Sequence, residues 1–450
     1  MQDFKNIKIK KRNFSIKFPG RRKQTFTNSF KSLNESAHER RRLRILLPLF
    51  ALLLAAYPVF SLLVSARTAI SSIGKAGTST PKKTSSYKDL DNWQSFQLAA
   101  TALPDSRLQG EVIKAPLPGG GTVTYAFDDA VQQRVSNVMK EYGVPYGVFV
   151  AIEPKTGRIL AMAASSSVDP EWGKNAFYNV YPMASLFKII TAAAALEQKK
   201  VLPETIFAFN GKLTSENPKY WFVKPRHHNQ EMPLNVAMGK SVNPVFGRLA
   251  SDVVGRDSLV SYTERFGFNQ QLFPGTPATP SRAVSPQSDL ELKLMGAGLG
   301  REVKISPLHA AAVFAAVANG GMMMAPALAQ EIKDGSNNTA FTHQAVPLRR
   351  IVSPETAVQL TKMLSTTVSS GTSRKAFHDR RGRPKLASVH VAAKTGSIDG
   401  KDPAGHYSWF AAYAPMEDPQ IALVALVVNQ NKWRIKATHV GEQALEAFFK

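Results

Sequence analysis

The chain has no cysteine among its 450 residues. Disulfide frameworks, thiolate metal sites, thiol nucleophiles and lipid attachment through cysteine are therefore all excluded. Stability must come from ordinary packing, for which a hydrophobic fraction of 44% is ample. Acidic residues are the second scarcity: 33 Asp and Glu face 57 Lys and Arg, a net charge of +24. Such an excess points to nucleic acid or to an anionic membrane or wall surface, and its position along the chain separates the two. One stretch lacks charge altogether. "ILLPLFALLLAAYPVFSLLV", Ile45 to Val64, runs for twenty residues without a charged side chain, the length that crosses a hydrocarbon layer of about 30 Å as a helix.

Residues 1–44, ahead of that stretch, hold fourteen Lys and Arg against Asp3, Glu35 and Glu39. Arg40, Arg41, Arg42 and Arg44 abut the apolar run, and only Arg67 and Lys75 follow soon after it. This asymmetry predicts a single-pass transmembrane helix over 45–64, with the amino terminus cytoplasmic and all that follows outside the inner membrane. A basic arm beside a membrane segment serves as topology signal and anionic-lipid contact, so no nucleic acid is expected as partner. Val64-Ser65-Ala66 has the small residues of a signal-peptide cleavage site, but the charged prefix and apolar core are too long for one. Residues 65–91, rich in Ser, Thr, Lys and small residues, read as a flexible stalk. From Trp93 a helix and a strand are expected, ending at the breaker "PLPGGG". Residues 65–121 thus form an extracytoplasmic stalk and short pedestal, and 122–450 a compact mixed domain.

Within that domain "DDAVQQRVSNVMKEY" places Val131, Val135 and Val138 at helical spacing. The apolar runs "YGVFVAIE" and "RILAMAAS" read as strands joined by "PKTG". There Pro154, Thr156 and Gly157 supply turn chemistry, and Lys155 is a solvated turn residue. Further on, "YPMASLFKIITAAAALEQKK" breaks at a proline and runs into an apolar helix with Ser185 and Lys188 near its amino end. Residues i and i+3 share a helix face, so the lysine amine can lie beside the serine oxygen. A serine hydroxyl needs a base to become a nucleophile, and a lysine held neutral by burial and nearby positive charge can be that base.

Ser-x-x-Lys alone is weak, since it also begins at Ser72, Ser79 and Ser85, and Ser-x-Asn begins at Ser32, Ser215, Ser241 and Ser336. The ordered set carries more. Ser185-x-x-Lys188 sits on an apolar helix, Ser241-Val242-Asn243 follows, and Lys394-Thr395-Gly396 ends a strand-like run "SVHVAA". These three motifs, in this order, are those of the penicillin-recognising serine acyl-transferases. From about Thr122 to the end the chain resembles the transpeptidase domain of a membrane-anchored, class B-type penicillin-binding protein. "AIEPKTGRILAMA", "SVNPVFGRLA", "LGREVKISPLHAAAVFAAVANGG" and "SWFAAYAP" look like segments of that family in their usual order.

The resemblance implies an α+β fold, an antiparallel sheet flanked by helices with an all-helical lobe holding the first two motifs. It also implies roles. Ser185 would attack a D-alanyl-D-alanine stem peptide and become an acyl-enzyme, with Lys188 as base. Ser241 would relay a proton to the leaving amine, and Asn243 would bond Lys188 and the substrate amide. Lys394 would hold the cluster positive, and Thr395 would contact the substrate carboxylate. Gly396 would let the substrate backbone approach the strand edge, and the backbone N–H groups of Ser185 and Ser397 would form the oxyanion hole. Neither metal nor cofactor is implied. β-Lactams are expected as inhibitors, and a separate glycosyltransferase as a working partner. Ala184 and Ala393 stand where the family often has glycine, both small, and the stalk is short for the class. The rival readings are a D,D-carboxypeptidase or β-lactamase, which would give the acyl group to water, and a β-lactam sensor or inactive scaffold.

Three other features read more plainly. His227 and His228 are adjacent loop residues without a third ligand. "GAGLGRE", Gly296 to Glu302, lacks the full dinucleotide-binding pattern, so its glycines are expected to serve packing beside the active site. Arg380, Arg381, Arg383 and Lys385 form a solvated basic loop.

Overall fold

A computed structural model describes residues 87–224 and 228–450. The expected basic arm, the apolar segment at 45–64 and most of the stalk lie outside the described residues, as does His227. Among the described residues no helix is long and apolar enough to cross a membrane.

The central sheet has five antiparallel strands, β1 Tyr146–Ile152, β2 Ile159–Ser165, β3 Ala392–Lys401, β4 Ala404–Ala414 and β5 Ile421–Asn429, in the order β3-β4-β5-β1-β2. The middle strand, "IALVALVVN", is apolar on both faces because both are covered, and all nine of its residues are buried. Helices α1 Asp129–Glu141 and, from the chain end, Ala437–Phe449 cover one face. Val131, Val135 and Val138 of α1 enter the core there, as their spacing predicts. On the other face lies helix Pro307–Ala318, buried at every residue from Pro307 to Val317. Its Ala-rich surface is apolar all round because the sheet lies on one side and a helical lobe on the other. That lobe comprises α2 Lys188–Glu197, Leu234–Gly239, α3 Asn243–Arg248, Arg256–Arg265 and Asp289–Gly296. The expected α+β fold is thus present.

The "PKTG" stretch is the β1–β2 turn. Gly157 takes φ +80° and donates its N–H to the Glu153 carbonyl at 2.9 Å. Lys155 pairs with Asp418 at 2.7 Å across exposed surface. The second triplet differs from its sequence reading. Lys394-Thr395-Gly396 does not end a strand; β3 begins at Ala392 and runs through the triplet to Lys401, because its partner β4 continues beside it from Ala414 to Ala404.

A second five-stranded sheet orders Arg107–Gln109, Val112–Pro116, Thr122–Tyr125, Ala329–Lys333 and Thr339–Thr342. Its strands come from both sides of residue 121. The preceding helix, Asn92–Ala102, buries Phe96 and Ala99 in the same core, and Tyr125 donates its hydroxyl to the Ala99 carbonyl at 2.8 Å. Residues 92–121 are therefore packed into the domain.

Candidate active site

Ser185 lies not in α2 but in the 3-10 turn Ala184–Phe187 that leads into it. Residues i and i+3 eclipse in such a turn, closer than in an α-helix, and the Lys188 side chain folds back to Ser185. Lys188 is fully buried, Ser185 is 9% exposed and Asn243 is 7% exposed. Three oxygens surround the Lys188 Nζ: Ser185 Oγ at 2.8 Å, Asn243 Oδ1 at 2.8 Å and the Ala297 carbonyl. Burial holds the Lys188 ammonium well below its ordinary range, and the like charge of Lys394 adds to the effect.

Proton counting then fixes an orientation. A neutral amine has two N–H groups and one lone pair. The Asn243 carbonyl oxygen and the Ala297 carbonyl can only accept, so they take the two N–H groups. The lone pair is left facing Ser185 Oγ, which can donate its hydrogen. The arrangement can deprotonate a serine hydroxyl.

Ser241 sits at the turn between Leu234–Gly239 and α3, at φ +57°. Lys394, fully buried in β3, donates to Ser241 Oγ and to the Thr395 carbonyl, both at 2.8 Å. Burial pushes its ammonium down to about 7. The structure thus brings all three motifs together, joining residues 185, 241 and 394 that the chain holds far apart. β3 is the edge strand of its sheet, so one side of its backbone is free of ladder partners. Gly396 faces the nucleophile: a Cβ there would lie 3.1 Å from Ala184 Cβ and 3.4 Å from the Ser185 nitrogen. Its missing side chain lets the strand approach the Ser185 turn. Ser397 is the next residue along and is exposed.

The glycine-rich stretch serves the packing expected of it. Gly298, at φ +71°, passes so close to the Ser185 turn that a Cβ would be 2.4 Å from the Ala184 carbonyl oxygen. Sequence reasoning missed that the neighbouring Ala297 carbonyl is a partner of Lys188. It also missed Thr372, whose hydroxyl lies 2.6 Å from that of Thr395 and whose N–H donates to the Gly239 carbonyl at 3.0 Å. Thr372 therefore ties β3 to the helix that precedes Ser241. Ala184 is close to glycine in size, but it adopts φ +53°, a conformation that costs about 1 kcal/mol for a residue with a Cβ.

The basic loop is partly committed within the domain: Arg383 pairs with Asp379 at 2.7 Å, and Lys385 reaches the buried Glu442 at 3.0 Å. Among the described residues no three of His, Asp and Glu gather as metal ligands would.

Residues 147–449 match the family model described as penicillin binding protein transpeptidase domain. The peptidoglycan D,D-transpeptidase PbpA of Mycolicibacterium smegmatis is 30% identical over 361 residues, covering 71% of this chain and 70% of that protein. The crystal structure of PBPA from Mycobacterium tuberculosis is similar with a TM-score of 0.61 at 26% identity, over 73% of this chain and 82% of that one. The penicillin G acyl-enzyme complex of penicillin-binding protein A from the same organism gives 0.59 at 26% identity, over 74% and 82%. With the three motifs converging on one buried centre and the model spanning two thirds of the sequence, the chain belongs to the penicillin-binding protein transpeptidase family.

Proposed function

We propose that the chain is a serine-type peptidoglycan D,D-transpeptidase that β-lactams inhibit by acylating Ser185. The observation that carries this reading is the buried Lys188 amine, held below its ordinary range by burial and 2.8 Å from Ser185 Oγ. Relatives that bear the name D,D-transpeptidase and a β-lactam acyl-enzyme of similar fold support it.

The geometry supports the following steps. Ser185 Oγ attacks the carbonyl carbon of the penultimate D-alanine as its proton passes to Lys188. The oxyanion is held by the N–H groups of Ser185 and Ser397, each such donor typically worth about 100-fold to 1,000-fold in rate. Lys394, in its charged form, draws the terminal carboxylate, and the Thr395 hydroxyl contacts it. Ser241 hands a proton to the departing D-alanine amine and takes one back from the Lys394 ammonium bonded to it, and the carbon–nitrogen bond breaks to leave an ester on Ser185. An amine of a second stem peptide then attacks the ester, losing a proton to the same relay, and Ser185 is restored. Asn243 holds Lys188 and the substrate amide.

The uncharged stretch at 45–64 and the basic arm before it support a single-pass anchor in the cytoplasmic membrane, with this domain outside. A separate glycosyltransferase then supplies the strands to be joined.

The test incubates the purified protein with a D-alanyl-D-alanine peptide donor and an amine acceptor and resolves the products by mass spectrometry. Cross-linked peptide is the expected main product. Release of the shortened donor alone would make the chain a carboxypeptidase, and rapid turnover of labelled penicillin would make it a β-lactamase.

A further inference from the structure

Beside the hairpin that joins β3 to β4 lies a cleft of about 1030 Å³. Its lining includes Pro182, three residues before Ser185, and Asp399, two residues after Ser397 on β3. It therefore adjoins both the turn that presents the nucleophile and the strand that carries the third motif. Its wall has an uncommon feature. Lys304 pairs with Pro182 on one side and with Arg282 on the other, the second pair exchanging N–H to carbonyl bonds at 2.8 and 2.9 Å. Residues directly opposite across an antiparallel pair project to the same face, so Arg282 and Lys304 stand side by side there. Arg301 joins them in the lining.

None of these three cations forms an ion pair among the described residues. Lys401 and the carboxylates of Asp169, Glu302, Asp399 and Asp402 also line the cleft; Asp399 is turned to His406 at 2.8 Å, and none of the four pairs with Arg282 or Lys304. Arg282 and Lys304 stand adjacent with no carboxylate paired between them, and a bound anion relieves their mutual repulsion.

Chain direction says which anion. On the proposed reading, the donor's terminal carboxylate lies at Thr395 and its reacting carbonyl at Ser397. The donor then runs along the free edge of β3 toward Asp399, at about 3.3 Å per residue. Residues upstream of the reacting one leave the edge within about 7 Å and enter the cleft. In a stem peptide that part includes a γ-linked glutamyl residue, whose α-carboxyl is either free or amidated. We propose that this cleft is a subsite for the upstream part of the donor stem peptide, and that Arg282 and Lys304 with Arg301 select a free carboxylate there over its amide.

The proposal rests on the transpeptidase reading, and its test is separable from that reading because it compares two donors on one enzyme. Full-length protein in detergent is given two pentapeptides ending in D-alanyl-D-alanine, identical except that the glutamyl α-carboxyl is free or amidated. D-alanine release is measured for each, and rates are normalised to active sites counted by penicillin labelling. The wild type is expected to favour the free acid about tenfold in kcat/KM, the scale of two partly exposed ion pairs. Arg282→Gln with Lys304→Gln should bring the ratio near one, and Arg282→Glu with Lys304→Glu should invert it. A role in folding alone would change the number of labelled sites and leave the ratio as it was. Equal use of both donors by the wild type, or a preference that survives charge reversal, overturns the proposal. Failure of both donors to release D-alanine would count against the transpeptidase reading instead.

Discussion

At Lys188 the fold leaves an amine three oxygen partners and only two hydrogens to give them, and the shortfall falls on Ser185. Lys394 stands at the same centre with a different task, as a charge whose ammonium is held at about 7 by burial. The two Lys-Thr-Gly triplets of the chain are therefore unequal. Lys155→Ala removes an exposed pair with Asp418, worth at most about 1 kcal/mol, and penicillin acylation should stay within about twofold of wild type. Lys394→Ala removes the partner of Ser241, and acylation should slow by about 100-fold or more, the range of a lost general acid–base group. Stopped-flow acylation rates of the two variants check this, and comparable losses would mean that the centre is wrongly placed. Ser185, Lys188, Ser241, Asn243 and Lys394 were legible in the sequence because their chemistry belongs to side chains at fixed local spacings. The Ala297 carbonyl was not, since every residue carries one and only the fold aims it. The backbone of Ala184 was not legible for a related reason: a sequence displays side-chain size, whereas φ +53° belongs to the backbone.

At the scale of elements, three segments approach one another at Ser185: the 3-10 turn with α2, the Gly296–Gly300 stretch, and β3. Two glycines set those approaches. Gly298→Ala would add a Cβ 2.4 Å from a backbone oxygen at a left-handed φ, where neither neighbour is a flexible side chain. The stretch must shift, taking the Ala297 carbonyl away from Lys188. Acylation by penicillin should fall by about tenfold or more, the price of a displaced catalytic group, while Gly300→Ala, whose Cβ meets its nearest neighbour at 3.4 Å, should be near wild type. Equal rates for both would detach this stretch from catalysis. The strands β1 and β2 and the helix α1 were readable from alternation and helical spacing. The bridge of Arg282 to Lys304 was not, because a two-residue pairing between distant loops leaves no periodicity to detect. Of the sheet spanning residue 121 only one strand ahead of "PLPGGG" was expected, since strands of three to five residues carry too few positions for alternation to show how they pair.

For the whole molecule, two buried lysines make stability depend on pH. Lys394 is charged in the unfolded chain up to its ordinary 10.5 and neutral in the fold above about 7. Between those values the unfolded chain holds more protons, so stability rises with pH across this window and is lost as pH falls toward 7. Below about 7 Lys394 is charged in both states and the dependence on it ends. Melting temperatures between pH 7 and 10 should therefore climb less steeply in Lys394→Met than in wild type, and equal slopes would contradict a depressed Lys394. Lys188, held well below its ordinary range by burial, adds to the same trend. The cost of burying both amines is the condition for having a neutral base beside a serine, which makes the acylated residue the point on which the account turns. Mass spectrometry of the full-length protein after labelling with penicillin locates that residue directly. The adduct should sit on the peptide containing Ser185 and vanish in Ser185→Ala; an adduct elsewhere, or one that survives the substitution, would contradict the account.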